Sequence, residues 1–282
     1  MKKNSKVIAI ASPTATGKSK LAVEFAHKIN GEIVSADSRL VYKGFEIAVA
    51  KPTIEEQDGI KHYLIDVVEP EFDYSVANYV DDATEAIEEI LQKGKTPIIV
   101  GGTGLYFRVL LEGYDIPRVA PNKNLREELN KLSLEDLITR LKKLDNKYFD
   151  DIQEPEKRKI IRAIEVCETI GTPLSELNKQ KAPPYDVQWI GINMPRNEIY
   201  ERINKRVDKM VELGIVEETK KLLKKHGRIP NFTETIGYRE ILPYLDGEYS
   251  LERAIELIKQ HSRNYAKRQL TWFRRNKALG ID

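Results

Sequence analysis

Residues 6–19, Lys-Val-Ile-Ala-Ile-Ala-Ser-Pro-Thr-Ala-Thr-Gly-Lys-Ser, constrain this chain more than any other stretch. Val7 to Ala11 reads as a short buried strand, a turn of small residues follows, and Lys20 to Ile29 is amphipathic with helical period. The turn spells Gly-x-x-x-x-Gly-Lys-[Ser/Thr], with Ser12 in place of the first glycine. In such a loop backbone N–H groups point inward, the helix N-terminus adds partial positive charge, and Lys18 adds a full one. Ser12, Pro13, Thr14, Ala15, Thr16, Gly17, Lys18 and Ser19 are therefore the candidate phosphate site, with the Ser19 hydroxyl placed for a phosphate-bound Mg²⁺. The alternative is a strand–turn–helix whose small residues merely fit; the presence of both flanking elements favours the site. The loop names a phosphate-bearing ligand, not which one.

At 282 residues the chain is one large domain or two small ones, and 41% apolar residues suffice for a core. No apolar run reaches the length of a membrane span. The basic tip before Val7 resembles the start of a secretory leader, but the following apolar stretch is too short and runs into the loop, so no leader is expected. A single cysteine, Cys167, allows no internal disulfide and fits the reducing cytoplasm; Ile164 and Ile170 around it suggest a packed thiol. There is no Cys/His cluster to form a zinc finger. The net charge of +2 conceals polarity: Glu55–Glu89 holds twelve acids against Lys61 alone, and Lys259–Lys277 holds seven bases and no acid. A polyanion is repelled by the first segment and attracted by the second.

Glu32–Ala36 reads as a second strand and runs into Asp37-Ser38-Arg39. An acid at the carboxyl end of a strand beside a phosphate loop is where α/β sheets place chemistry; capping the next segment is the plainer role. His62–Val68 reads as a third strand, Ser75 as the cap of a helix over Val76–Gln92, and Pro97–Val100 as a buried strand entering Gly101-Gly102-Thr103-Gly104. Three glycines there admit either close backbone approach to a ligand or simply a tight turn. Alternating strands and helices predict a parallel sheet with helices on both faces, an α/β fold of the P-loop NTPase type. From residue 121 to 183 only helical segments occur (Leu125–Leu132, Leu134–Leu144, Glu156–Ile170), predicting an inserted all-helical domain. Val187–Met194 then returns as a strand, so residues 1–120 and 184–282 form one discontinuous domain. Arg202 and Arg206 fall one helical turn apart, able to share an anion or to sit solvated. A final helix follows Ser250. Its bases Lys259, Arg263 and Lys267 form a stripe, interleaved with Tyr265, Trp272 and Phe273. This suits a nucleic-acid backbone, although Trp272 and Phe273 equally suit anchoring to the core.

Seven motifs in order now identify a resemblance spanning nearly the whole chain: Ser-Pro-Thr-Ala-Thr-Gly-Lys-Ser (12–19), Ala-Asp-Ser-Arg (36–39), Ala-Lys-Pro-Thr (50–53), Gly-Gly-Thr-Gly-Leu-Tyr (101–106), Arg-Ala-Ile-Glu-Val (162–166), Ile-Gly-Tyr-Arg-Glu (236–240) and Tyr-Ala-Lys-Arg-Gln-Leu-Thr-Trp-Phe-Arg (265–274). Together they resemble the bacterial tRNA dimethylallyltransferases, also called isopentenyl-tRNA transferases. Three departures stand out: Ser12 for the usual glycine, Ser19 for the commoner threonine, and Arg39-Leu40 where Met-Gln is frequent. Ser12 could stiffen the loop, and Arg39 could alter contact with the target base.

The resemblance implies transfer of a dimethylallyl group from its diphosphate to N6 of the adenosine 3′ of the anticodon, position 37, in tRNAs reading codons that begin with U. It implies that the loop holds the allylic donor's diphosphate rather than ATP, so an ATP-binding label would describe the motif and not the ligand. Asp37 would take the proton from the amine, while Lys18, the loop amides, Mg²⁺ and an arginine, Arg206 in preference to Arg202, would stabilise the departing diphosphate. Thr14 and Thr103 would orient donor and base. The tRNA-contact positions it implies are Asp37, Ser38, Arg39 and Leu40; Thr103; Arg126; Arg158, Lys159, Ile160, Ile161 and Arg162; Glu234, Thr235, Ile236, Gly237, Tyr238 and Arg239; and Lys267, Arg268, Gln269, Leu270, Thr271, Trp272, Phe273 and Arg274. A cytoplasmic monomer with no membrane partner is expected. Three rivals remain: an adenylate isopentenyltransferase acting on free AMP or ATP, a P-loop small-molecule kinase, and a non-catalytic RNA-binding module. The first needs neither the helical insert nor the basic helix; the last leaves Asp37 and the loop unexplained.

Overall fold

Alternation of side chains along a strand sets the architecture. In β1 (Lys6–Ala11), Val7, Ala9 and Ala11 point to one side while Ile8 and Ile10 point to the other, and every one of them is buried. A strand buried on both faces must lie inside a sheet covered on both sides. The computed structural model describes residues 5–152, 155–177 and 181–281; the tip at Met1–Asn4, part of the segment resembling a leader, lies outside them. In it β1 is followed by α1 (Lys18–Ile29), β2 (Gly31–Ala36), a short α2 (Ile54–Gln57), β3 (His62–Tyr63), α3 (Val76–Gln92), β4 (Thr96–Gly101) and α4 (Gly104–Leu111). Helices α5 (Lys123–Lys131), α6 (Leu134–Asp150), α7 (Lys157–Ile170) and α8 (Leu174–Leu177) follow. The chain then returns through β5 (Asp186–Ile190), α9 (Arg196–Glu212), α10 (Ile215–His226), α11 (Pro230–Thr233), α12 (Tyr238–Leu245), α13 (Leu251–Phe273) and a 3₁₀ turn at Lys277–Leu279.

The five strands are parallel in the order β3-β2-β4-β1-β5. Helix α1 covers the face bearing Ile8, Ile10, Ile33, Ile98 and Val100, through Ala22, Val23 and Ala26. The opposite face packs into a larger core with side chains from α3, α4, α9, α10, α12 and α13. The strand expected over His62–Val68 stops at Tyr63, because Leu64 and Asp66 take positive φ (63° and 55°) that no β-ladder accommodates; only a Tyr42–Val68 bridge remains of its second half. Ser75 caps α3 with a reciprocal box to Asn78, and Ser250 caps α13 by accepting the Arg253 N–H, both at the expected positions.

Two compact units share the chain: Met1–Leu111 with Pro184–Asp282, and Glu112–Pro183. The second has its own core of Leu129, Leu137, Leu141, Ile160 and Ile164. At its base the Lys181 N–H bonds to the Gly113 carbonyl at 2.8 Å. A fully buried carboxylate, Glu165, organises its first helix: Arg126 grips both oxygens at 2.8 Å, the Asn122 N–H adds 2.7 Å, and Arg162 binds from one turn away. Burial opposes the charge of Glu165, but these donors outweigh it and hold its pKa below the ordinary carboxylate range. Cys167 lies in the same core, its thiol pushed up by burial, as expected of a packed cysteine. Among the described residues no helix is long and apolar enough to cross a membrane.

Candidate active site

Strand order brings the chemistry to one edge. β4 lies between β2 and β1, and its last residue, Gly101, pairs with Ala36 on one side and Ala11 on the other. The loop after β1, Asp37 after β2 and the glycine turn after β4 therefore leave the sheet side by side, within about 10 Å given the usual strand spacing. Gly101 is obligatory, since a Cβ there would sit 2.1 Å from the Ala36 carbonyl oxygen.

The loop takes the shape of an anion cradle. Ala15 (φ 65°) and Gly17 (φ 89°) adopt left-handed backbone, and α1 starts at Lys18 without a side-chain cap, leaving its first N–H groups facing the loop. Ser12 is fully buried; its hydroxyl meets Thr16 Oγ1 at 2.7 Å, and that hydroxyl bonds the Pro13 carbonyl at 2.9 Å. The serine in place of glycine thus braces the loop from beneath. Lys18 Nζ donates to the Pro13 carbonyl at 3.2 Å, closing over the cradle. Burial pulls its pKa down to about 8, against the pull of Asp37, which supports the charge, and with a further push downward from Arg206. Ser19 is exposed at the start of α1.

Arg202 and Arg206 separate. Arg206 turns inward, donating to Thr14 Oγ1 at 2.9 Å and to the Val49 carbonyl at 3.3 Å, and its burial lowers its pKa against the opposing charge of Asp37. Arg202 stays outside, paired with Glu198 one turn back. Asp37 Oδ1 accepts the Arg39 N–H at 2.9 Å, and Thr103 Oγ1 accepts the neighbouring Ser38 N–H at 3.1 Å, fixing the turn after β2 against the glycine turn. Tyr265 stands beside them; burial and the proximity of Asp37 push its phenol up to about 12.

A cleft of about 290 Å³ is lined from the loop by Thr14, together with Asp37 and Arg206. Its lining also holds an apolar set, the chamber, of Ala48, Val49, Ile203, Val207, Met210, Ile236 and Ile258, along with the half-buried Ser38 and Arg39 and the exposed Glu234, Arg239 and Arg268. The sequence reading missed the chamber. Residues 203, 207 and 210 follow helical period, which reads as ordinary core. Also missed was Glu218, whose carboxylate receives the N–H groups of Glu46, Ile47 and Ala48 at 2.7–3.2 Å and so holds the chamber wall from α10. Nothing in local sequence signals a bond spanning about 170 positions.

Other expected contact residues divide by burial. Lys267, Arg268, Thr271 and Arg274 are exposed and Trp272 is half-buried, but Gln269, Leu270 and Phe273 are only 5%, 5% and 2% exposed. Helical period allows only one side of α13 to face outward, so these three side chains are corrected from surface contacts to internal ones. The stripe is also narrower than expected: Lys259 pairs with Asp208 and Arg263 bonds Asn204, leaving Lys267 as its exposed member. Tyr238 is fully buried against Phe45 and Phe232, and Thr235 and Gly237 are buried with it, while Glu234 and Arg239 are exposed and Leu40 and Ile236 half-buried. Ile160 and Ile161 belong to the helical unit's core; Arg158 and Lys159 are exposed at the start of α7, and Arg126 and Arg162 are half-exposed on Glu165. The glycine turn serves neither expected role alone. A Cβ on Gly102 would meet Gln269 Nε2 at 2.2 Å and one on Gly104 would meet Trp272 at 2.0 Å, so the turn is a socket for α13.

Parallel strand order, an anion cradle after β1 and an acid after β2 define an α/β protein of the P-loop class, here with an apolar chamber beside the cradle. Residues 40–276 match the IPP transferase family. The tRNA dimethylallyltransferase of Thermomicrobium roseum is 44% identical across 99% of this chain and 86% of its own length, and that of Pelotomaculum thermopropionicum is 42% identical across 98% and 90%. The crystal structure of the full-length tRNA isopentenylpyrophosphate transferase from Bacillus halodurans superposes with a TM-score of 0.73 at 40% identity, covering 98% of this chain and 89% of that one. A eukaryotic dimethylallyltransferase acting on tRNA superposes with a TM-score of 0.83 at 30% identity, covering 96% and 70%. The chain belongs to the IPP transferase family.

Proposed function

We propose that this protein is a tRNA dimethylallyltransferase. It moves the dimethylallyl group of dimethylallyl diphosphate to N6 of adenosine 37, next to the anticodon, in tRNAs reading codons that begin with U. The observation that carries this reading is the cleft itself: Thr14 of the loop, Asp37 and Arg206 line one cavity together with Ile203, Val207, Met210 and Ile258, a mix of polar and apolar groups suited to an allylic diphosphate and the amine that attacks it. The diphosphate lies on the loop 12–19 under Lys18 and Arg206, and the C5 chain enters the chamber. The N6 lone pair forms a bond to C1 as the C1–O bond breaks, diphosphate departs with the electron pair, and Asp37 accepts the surplus N6 proton. Oδ1 of Asp37 is held by the Arg39 N–H, which leaves Oδ2 to receive that proton. Lys18, the loop N–H groups and Arg206 stabilise charge that grows on the leaving oxygens, and Thr103 holds the turn that carries the base.

A hydroxyl oxygen at the loop mouth, beside the site assigned to the diphosphate, suits Mg²⁺, which keeps several waters and binds through substrate phosphates plus one or two protein oxygens. Ser19 Oγ is the protein oxygen at the loop mouth, and bound Mg²⁺ would neutralise diphosphate charge there. Lys267, Arg268, Thr271 and Arg274 on α13, Arg39, Glu234 and Arg239 at the cleft mouth, and Arg158 and Lys159 on the helical insert (residues 121–183) are the side chains assigned to tRNA. The target base leaves the anticodon stack to reach the donor. This reading includes a monomer working in the cytoplasm, where tRNA is modified.

Incubation with labelled dimethylallyl diphosphate and bulk tRNA should label the RNA, while AMP and ATP stay unlabelled. Label in AMP instead would make the chain an adenylate isopentenyltransferase, and transfer of phosphate from ATP would make it a kinase.

The depressed pKa of Lys18 gives this reading a pH signature. From about pH 8 upward an increasing share of ligand-free Lys18 is neutral, and an arriving diphosphate raises its pKa, so binding takes up a proton. Affinity for dimethylallyl diphosphate should therefore fall as pH rises through about 8, by at most about tenfold per pH unit for one linked proton. Calorimetry in buffers of different ionisation enthalpy reads the uptake directly. A Lys18→Met variant, which retains only the ligand's own titration, should lose the linkage.

A further inference from the structure

We infer that Gln269 is a positioning residue that sets the donor loop against the base-bearing edge of the sheet and ties both to α13; the inference rests on the transfer proposed above. Its carboxamide is buried and used twice. Oε1 accepts the Thr14 N–H at 2.9 Å, and Nε2 donates to the Gly102 carbonyl at 2.9 Å. The two bonds complete a continuous chain across the site. Arg206 bonds the Thr14 hydroxyl, Gln269 bonds the Thr14 amide and Gly102, and Thr103, next in sequence, receives the Ser38 N–H beside Asp37. The leaving-group clamp and the base are thus linked through one side chain, at the two points whose separation the in-line attack depends on. Gly102 is fitted to this arrangement: its φ lies outside the left-handed region, and a Cβ would meet Gln269 Nε2 at 2.2 Å. Exposed neighbours Lys267, Arg268 and Thr271 occupy the outer side of the same helix, so the residue that organises the catalytic groups is carried on an element whose other side faces outward.

The expectation follows from geometry. A shift of about 1 Å between reacting groups can cost about 100-fold in rate without weakening binding. Gln269→Met keeps the volume and removes both bonds. Assayed as the full chain by single-turnover prenylation of tRNA with both substrates saturating, it should react ten- to a hundredfold more slowly, while affinity for tRNA stays within about twofold. Gly102→Ala leaves Gln269 present but displaced, and should slow the reaction in the same direction. Combined with Gln269→Ala, which opens room for the added methyl, Gly102→Ala should add nothing beyond the Gln269→Ala defect. This cycle also serves if Gln269→Met fails to fold. Wild-type transfer to tRNA, measured in parallel, checks the reading on which the inference rests. With that intact, the inference is overturned by saturated rates within threefold of wild type, by lost tRNA affinity with an unchanged saturated rate, as for an ordinary RNA contact, or by additive effects of Gly102→Ala and Gln269→Ala.

Discussion

Replacing Asp37 by asparagine is expected to slow prenylation by about two to four orders of magnitude, the range typical for loss of a positioned general base. The substitution is nearly isosteric. Asparagine Oδ1 still accepts the Arg39 N–H, so the turn after β2 keeps its shape and only the proton acceptor is lost. Donor binding at pH 7 should remain within about twofold, since no phosphate contact is removed. At pH 8.5 a second effect emerges. Asp37 supports the charge on Lys18, so its removal lowers the lysine's pKa further and weakens the donor complex above that seen for wild type. Single-turnover rates and calorimetry at the two pH values separate these effects. An Asp37→Asn protein with wild-type rate at saturating substrates would remove Asp37 from the mechanism.

Arg206→Met should lower kcat by about 10²- to 10³-fold, the cost of deleting one donor aimed at developing negative charge. The guanidinium lies inside the cleft, bonded to Thr14 and the Val49 carbonyl, and its inward burial makes it available to the departing diphosphate rather than to solvent. Arg202→Ala is the internal control: that side chain is exposed and paired with Glu198, and an exposed pair contributes little. It should retain wild-type activity within twofold. Equal losses at the two positions would show that the pair acts through net charge alone. Arg206→Lys should recover only part of the activity, because an ammonium cannot reach Thr14 and a second acceptor with the fixed fork of a guanidinium.

Much of this site was legible in the sequence because its physics is local. The loop announced itself through Gly17-Lys18-Ser19 between a strand and a helix, and Ser75 and Ser250 announced their helices through caps. The unbroken apolar run Val7–Ala11 pointed to a buried strand. What stayed hidden depends on long-range placement. The His62–Val68 run has strand composition, yet Leu64 and Asp66 turn with positive φ to bring Val68 beside Tyr42, a pairing no local window contains. Arg202 and Arg206 looked equivalent on a helical wheel; only the docking of α9 over the loop separates them. The apolar chamber was invisible for a different reason: Ile203, Val207 and Met210 have the pattern of core residues, and a cavity is the absence of an atom that sequence cannot mark. The sequence leaves open whether Trp272 and Phe273 of the basic C-terminal stretch face RNA or core; the helical period of α13 puts Gln269, Leu270 and Phe273 on the inside.

The bond between Thr14 and Gln269 joins residues 255 positions apart. During synthesis the amino end emerges first, at roughly 5–20 residues per second. The donor loop therefore waits roughly ten to fifty seconds for the glutamine that braces it, even though the strand and helix around it are already available. Until α13 docks, a nascent chain can own its phosphate loop and its general base without holding them in register. On the proposed reading, full catalytic competence arrives only with the last long helix, so a chain interrupted before that point should lag well behind the complete protein.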